Sequence, residues 1–404
     1  MKGLSVLKKL LVLCSIALIS LLQADELSNI LSKNKELLFE YDLKSNELQS
    51  DMLSKSWVNP LRVRYVKDYS TRFKTGTVDT GTLSVYIDQP IFRSGGIYYA
   101  IKYSEALRGA NEVAILLRKR QMIGDAVSIL FSLKKNKLEQ QKTSYLVKND
   151  TIDITQKRDS YNAGILDSSF LDQAILKKSQ DSARLLELEL NYLELKQRFS
   201  LLSDKNPTSL KVPKLKMMAK KSYVKNNLAL KRDVLKAEES DYNSKMTFAK
   251  YMPTLSLQGQ YTDGDLNPLF PSKGIDDKYY NYGFSVSMPI DINSFTDIEA
   301  SRVAKLKSAT EVLDRKDTIN QEYQWIENSL VILNKKIDLA KKDAKVYSSL
   351  LEVTQNLAHA GEKTSLDVDT MSNSLAIRKL DQQIYAIERQ LKLLQLYIRV
   401  NNVL

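Results

Sequence analysis

Tyr280-Asn281-Tyr282-Gly283-Phe284-Ser285-Val286-Ser287-Met288 alternates apolar with small or polar residues at every step. A period of two places Tyr280, Tyr282, Phe284, Val286 and Met288 on one face of an extended strand and the intervening residues on the other. Three more segments repeat the pattern. In 61–70, Leu61, Val63, Tyr65 and Tyr69 oppose Arg62, Arg64 and Asp68; in 82–89 the apolar set is Leu83, Val85 and Ile87; in 254–262, Leu255, Leu257 and Tyr261 alternate with Ser256, Gln258 and Gln260. Each is about nine residues long, close to the ~9 to 11 that a tilted strand needs to cross hydrocarbon. Residues 251–262 and 279–290 carry no formal charge. A half-buried sheet packed on helices shows the same alternation, so the pattern alone leaves a membrane sheet and a soluble one both open.

Outside the strands the chain reads as helix. It has only 13 Gly and 8 Pro in 404 residues, a composition of long uninterrupted helices. Residues 97–161 and 295–360 contain no Pro, and about 65 helical residues at ~1.5 Å each make a rod of roughly 100 Å. Each rod ends at a glycine: Tyr161-Asn162-Ala163-Gly164 and Leu357-Ala358-His359-Ala360-Gly361 place Gly where a left-handed C-terminal cap suits it. Helical sequence resumes over 168–202 and 365–401, so each half folds back as an antiparallel hairpin. Pro253 follows Pro60, Pro289 follows Pro90 and Gly361 follows Gly164, each after about 200 residues, the mark of a duplicated unit. The expected organisation is a signal peptide over 1–24 and a first repeat over 25–206, with hairpin strands about 61–89 and a helical hairpin about 95–203. A linker over 207–221 marked by Pro207 and Pro213 follows, then a second repeat over 222–404, with strands about 254–288 and a helical hairpin about 295–401.

Lys2, Lys8 and Lys9 precede the apolar stretch 10–22, followed by Gln23-Ala24-Asp25, the order of a secretory signal cleaved after Ala24. The stretch is shorter than the ~18 to 20 residues of a spanning helix. Cys14, the only cysteine, lies inside it, preceded by Leu13 where lipoprotein processing requires a small residue. A mature chain without thiol and with one His excludes disulfide staples, thiolate zinc sites and cysteine catalysis. The net charge of +12 could indicate nucleic acid. However, the Lys residues are interspersed with acids along helices, as on a solvated surface, and an exported protein meets no genome.

Four strands cannot close a membrane barrel, since the smallest single-chain barrels need about eight and each unpaired backbone group in lipid costs several kcal/mol. Spanning strands therefore demand oligomerisation, and the narrow apolar stripes of the rods demand partner helices as well.

Gln89-Pro90-Ile91-Phe92 with Gly95-Gly96, the phrase Tyr251-Met252-Pro253-Thr254-Leu255-Ser256-Leu257 and the paired Gly turns followed by a Leu-Asp-Val-like stretch resemble the bacterial outer membrane efflux proteins, the TolC-like outer membrane factors. The resemblance covers nearly the whole mature chain. It implies a mainly α fold with a membrane β-barrel, in which a homotrimer supplies four strands per chain to a twelve-stranded barrel in the outer membrane of a Gram-negative bacterium. An α-helical barrel continues it through the periplasm. Such proteins are passive exit ducts of tripartite efflux or type I secretion systems, with an inner-membrane pump supplying energy. A periplasmic adaptor (membrane fusion) protein docks on the helix-turn tips, here Gly164 and Gly361. The resemblance also implies a periplasmic gate after the second Gly turn, matched by Asp367 and Lys363. The further acid of the family pattern is Thr370 here, the acid expected after Gly164 is Phe170, and the aromatic expected before Gly361 is Ala358. Three copies of Asp367 near one axis would make a cation-binding constriction; an acid in a first helical turn, stabilised by unpaired amides, is the other account of Asp367.

Asp79-Thr80-Gly81 spells an aspartic-protease triplet, but it occurs once and falls in an expected hairpin turn. His359 has no partner His and reads as a helix-end residue, and Gly95-Gly96 reads as a strand-to-helix bend. No enzyme, cofactor or resident metal is expected. A periplasmic coiled-coil scaffold or adaptor with a soluble β domain is the alternative function, and the cargo (drug, metal or protein) is not written in these residues.

Overall fold

A computed structural model describes residues 29–71, 76–265 and 276–401; the expected signal peptide 1–24, with Cys14, lies outside them. In chain order the elements are α1 (Lys33–Ser54), β1 (Arg62–Ser70), β2 (Val78–Phe92), α2 (Gly96–Asn162), α3 (Ser168–Ser200), α4 (Lys220–Lys225), α5 (Leu228–Lys250), β3 (Thr254–Gly264), β4 (Lys278–Ser287), α6 (Ser294–His359) and α7 (Ser365–Tyr397). They form two compact units, each drawing on both halves of the sequence. Among the described residues, one comprises those within 41–115 and 229–316, the other those within 29–40, 116–228 and 317–401.

The first of these units holds a four-stranded antiparallel sheet in the order β1-β2-β3-β4. β2 is longer than the expected 82–89 because it is paired on both sides, from Val78 opposite Ser70 on β1 to Phe92 opposite Leu255 on β3. That pairing corrects the turn expected at Asp79-Thr80-Gly81: the triplet lies inside β2, with Asp79 opposite Tyr69 and 2.9 Å from the Lys67 ammonium. Near its end β2 carries a bulge between Pro90 and Phe92, the place where a residue without an N–H is tolerated in a ladder. Gly95 then turns the chain into α2 at φ +84°, a conformation that an L side chain adopts only at a cost.

In the second unit the organising element is α2, whose later part packs against both α3 and α7. Asn136 and Gln140 donate to the Leu188 carbonyl of α3 at 3.0 and 3.3 Å, and the Lys177 ammonium of α3 pairs with the buried Asp150. Against α7 the contacts form a ladder: Lys135 with Glu388 at 2.8 Å, Lys142 with Asp381 at 2.7 Å, Asn149 with Ser374 at 3.3 Å and Gln156 with Asp367 at 3.2 Å. Each rung advances one heptad along α2 and retreats one heptad along α7, which is the signature of an antiparallel coiled pair. Burial opposes the charge on Lys135, but hydrogen bonds and ion pairing with Glu388 and Glu139 outweigh it and raise its pKa. Along the same helix Ala126, Val127, Leu130 and Phe131 form an apolar core, while the rungs from Lys135 onward are polar.

The segment between α3 and α4 has no regular structure over 211–219, yet it is tied down. Gln390 donates to the Leu215 carbonyl at 3.3 Å and accepts from its N–H at 2.7 Å, while the Tyr397 and Tyr323 hydroxyls donate to the carbonyls of Lys216 and Met218. Tyr223, wholly buried beside Tyr323, has its phenol pKa pushed up to about 12 by that burial.

One contact in this unit is too close for any side chain. A Cβ on Gly124 of α2 would lie 2.2 Å from Ile398 Cγ1, and a β-branched residue has little rotamer freedom to yield. Gly124→Ala is expected to cost about 1 to 3 kcal/mol in thermal unfolding. Gly109→Ala, whose Cβ would meet Leu235 methyls at 3.5 and 3.6 Å, should be neutral or stabilising by up to ~1 kcal/mol.

Candidate functional site

Cross-strand register sorts the sheet into two chemically opposite faces. Val63, Val85 and Tyr261 lie in one row, and Leu257 stands opposite Phe284 and Leu255 opposite Val286; these side chains share one face. The other face carries Arg62, Arg64, Ser84, Tyr86, Gln258, Gln260, Thr262, Asn281 and Ser285. No described helix covers the apolar face at β4, where Tyr280 and Phe284 are each 74 % exposed and Tyr282 is 91 % exposed. The charges on this face, Lys67, Asp79, Asp263 and Lys278, gather at the end of the sheet away from Thr254 and Ser287, as the ion pairs Lys67–Asp79 and Lys278–Asp263. An uncovered apolar band bounded by paired charges and backed by a polar face suits lipid on one side and water on the other. β1 and β4 are both edge strands, each with one row of backbone groups that no described strand satisfies.

The other unit also exposes ordered apolar surface. On α6, Ile319, Tyr323, Ile326, Leu330 and Leu333 are buried within the chain, while Trp325, Ile332, Leu339, Val346 and Val353 recur at heptad spacing and are all exposed by half or more. α3 also exposes Leu176, Leu186, Leu190 and Leu193, spaced ten, four and three residues apart. A strict heptad of exposed apolar residues beside a buried stripe is a seam awaiting another helix.

The two helix-turn tips are built alike. Gly164 at φ +72° and Gly361 at φ +79° end α2 and α6. At the first, the Ile165 N–H reaches the Ser160 carbonyl and the Gly164 N–H reaches Tyr161; at the second, Glu362 reaches Leu357 and Gly361 reaches Ala358. Both are complete Schellman motifs, with the carbonyls of the final turn satisfied by the turning backbone. No atom lies within 4 Å of a Cβ position at either glycine, so conformation and not crowding selects Gly there. Three residues on, each chain direction reverses at a helix cap. The Asp167 carboxylate accepts from the Ser169 N–H at 2.8 Å, and Thr364 and Asp367 form a reciprocal capping box.

Asp367 therefore has two tasks. Its Oδ2 accepts from the Thr364 N–H at 3.0 Å and hydroxyl at 2.9 Å, and its Oδ1 accepts from Gln156 at 3.2 Å, the last rung of the α2–α7 ladder. The backbone hydrogen bond from Thr364, then its hydroxyl, hold the Asp367 pKa below the ordinary value, and Gln156 and Lys363 act in the same direction. Lys363 is exposed, whereas Thr370 turns its hydroxyl back onto the Leu366 carbonyl at 2.9 Å. Phe170 is exposed and Ala358 half-buried near these turns. Gln156 did not emerge from the sequence reading. The signal was the heptad spacing of Lys135, Lys142, Asn149 and Gln156 set against Asp367, Ser374, Asp381 and Glu388, which becomes visible once the two helices are aligned antiparallel.

Among the described residues no group of three or more His, Cys, Asp or Glu is placed to hold a metal ion, and no helix is long and apolar enough to cross a membrane. Compared as a sequence, the chain matches no protein-family model and no curated protein. Compared as a structure, it is similar to the outer membrane protein VceC of Vibrio cholerae at TM-score 0.73 and 16 % identity, over 95 % of this chain and 97 % of that one. The outer membrane channel CmeC of Campylobacter jejuni gives TM-score 0.73 at 14 % identity, over 93 % of this chain and 85 % of that one. The chain has the TolC-like outer membrane channel fold. MtrE of Neisseria gonorrhoeae, an outer membrane channel in its open state, shares it at TM-score 0.62 and 11 % identity, over 93 % of this chain and 88 % of that one. The family resemblance carried by Gln89-Pro90-Ile91-Phe92 and the paired Gly turns thus has a counterpart in the TolC-like backbone.

Two outcomes are expected. Because the folded pKa of Asp367 is depressed, its contribution is complete above the unfolded value of about 3.9 and fades as pH falls through the folded value. Asp367→Asn should lower the unfolding temperature at pH 7 by a margin that vanishes in acid, and Thr364→Ala should cost about 1 kcal/mol; an Asn deficit equal at both pH values would remove the carboxylate from this account. On the α6 seam, Leu339→Glu lies on exposed surface and should change the stability of a single chain by no more than about 0.5 kcal/mol, yet dissociate the oligomer in sedimentation. An unchanged sedimentation coefficient would show that the seam is not an interface.

Proposed function

We propose that three copies of this chain close a twelve-stranded barrel in the outer membrane and continue it into the periplasm as a helical barrel, forming a passive exit duct. The observation that carries this reading is the four-stranded sheet with one uncovered apolar face and two open edges, because only further strands can satisfy those edges in lipid. The exposed heptad stripe of α6 and the exposed leucines of α3 support the same assembly, and so does the shared fold of VceC and CmeC. Nothing in the described chain suggests catalysis. In this reading the duct serves a tripartite efflux or type I secretion system, with an inner-membrane pump supplying the energy.

The tips at Gly164 and Gly361 dock a periplasmic adaptor protein. Their Schellman turns present exposed side chains such as Ile165, 75 % exposed, on a rigid backbone. Asp367, Lys363 and Thr370 lie at the periplasmic mouth, and three Asp367 carboxylates near one axis form a constriction that binds cations and resists leakage. The capping box and the Gln156 rung fix that carboxylate, so opening the mouth requires moving α7 relative to α2 at its last rung.

Fractionation tests the duct. Extraction only by detergent, as an SDS-resistant oligomer, is expected; free release by osmotic shock would favour the periplasmic scaffold instead. In planar bilayers Asp367→Ala should weaken cation block of single-channel current, and unchanged block would put the constriction elsewhere. Bulky substitution of Gly164 or Gly361 forces an L side chain into the left-handed region at a cost of about 1 to 2 kcal/mol. It should abolish export with the trimer intact, and wild-type export in both variants would refute docking at the tips.

A further inference from the structure

We infer that Arg62 and Arg64 form a binding step for carboxylate-bearing anions on the lumenal face of the barrel, an inference that rests on the duct reading above. Register places each guanidinium in a row of neutral polar side chains. Arg62 is followed across the sheet by Tyr86, Gln260 and Asn281, and Arg64 by Ser84, Thr262 and Tyr279. Both arginines are exposed, and neither has an ion-pair partner among the described residues. The contrast with the opposite face is direct, because there Lys67 and Lys278 are each neutralised, at 2.9 and 3.0 Å, by Asp79 and Asp263. The nearest carboxylate on the polar face is Asp88, one row beyond Arg62; its row holds Gln258 and Gly283, and its backbone carbonyl accepts from Asn59. Asp68 lies farther along β1 on the same face, opposite Thr80, so the guanidiniums outnumber carboxylates only around the rows of Arg62 and Arg64, where Asp88 is the one carboxylate, and trimer symmetry would triple that local excess of positive charge.

Arginine suits this task better than lysine. Its planar fork offers two parallel N–H donors to one carboxylate, and it is more weakly hydrated than an ammonium. The phenol of Tyr86 and the amide of Gln260 beside it supply further donors for a solute's second polar group. A ring of such groups raises the local concentration of anions and holds them weakly enough to release, which conduction requires. The expected ligands are small molecules bearing two or more carboxylates, or amphiphiles with one carboxylate head.

The test uses full-length trimer in detergent or liposomes, in a Cys14→Ser background with Ser84→Cys as the single reporter thiol opposite Arg64. Modification rates are measured with an anionic sulfonatoethyl and a cationic trimethylammonium thiosulfonate reagent, with and without citrate. The anionic reagent should react at least about tenfold faster than the cationic one, citrate should protect the thiol, and Arg62→Gln with Arg64→Gln should abolish both effects. Arg62→Lys with Arg64→Lys should keep the rate preference and lose citrate protection, since a point charge lacks the fork. A preference unchanged by the Gln pair, or citrate protection retained by the Lys pair, would overturn the inference while an SDS-resistant trimer leaves the duct standing. A thiol inert to both reagents in an intact trimer would overturn the lumenal assignment of this face, and with it the duct reading.

Discussion

Unpaired backbone at the two edges of one sheet is the constraint on which the rest of the structure depends. β1 and β4 each leave a row of N–H and C=O groups that no described strand pairs, and in hydrocarbon every such group would cost several kcal/mol. Water would satisfy them, but water is a poor neighbour for Tyr280, Tyr282, Phe284 and Val286 on the uncovered face. In the proposed duct, closure with sister strands would answer both demands at once, because it would pair the edges and turn the apolar face outward to lipid. The helices pose a similar demand: α6 buries one stripe within the chain and exposes another, and α3 exposes Leu176, Leu186, Leu190 and Leu193.

Within each chain the register of the tips is set by the polar ladder between α2 and α7. Hydrophobic contacts tolerate sliding, whereas Lys135–Glu388, Lys142–Asp381, Asn149–Ser374 and Gln156–Asp367 are satisfied together in one register only. Part-buried polar and charged pairs of this kind contribute little net stability; their effect here is to fix which residue of α7 meets which residue of α2. Since Asp367 of the last rung also belongs to the capping box that starts α7, helix register and turn geometry converge on one carboxylate.

The strands were legible in the sequence because a period of two survives any tertiary context, and the Gly164 and Gly361 turns because a left-handed cap excludes almost every other residue. The true extent of β2 was not legible. Asp79-Thr80-Gly81 has turn chemistry, and its place in the ladder comes from pairing with β1, a long-range effect that local propensity does not contain. Asp367 was marked by its position after Gly361, but its partner Gln156 lies on a helix more than 200 residues away. That partnership follows from packing α2 against α7. Arg62 and Arg64 were visible as the polar half of an alternating strand, and only the register with Ser84, Tyr86 and the strands beyond gives them neutral surroundings.

Joining the edges of different copies is the most direct measurement of the central claim. With Cys14 replaced, single cysteines placed together on β1 and β4, for example at Tyr65 and Tyr282, can be oxidised in intact outer membranes and the products separated under denaturing, non-reducing conditions. Disulfide-linked dimers and trimers, with nothing larger, are what a closed three-chain barrel predicts. Monomer alone, across a set of position pairs scanned along both edges, would mean that β1 and β4 never meet a sister chain and would contradict it.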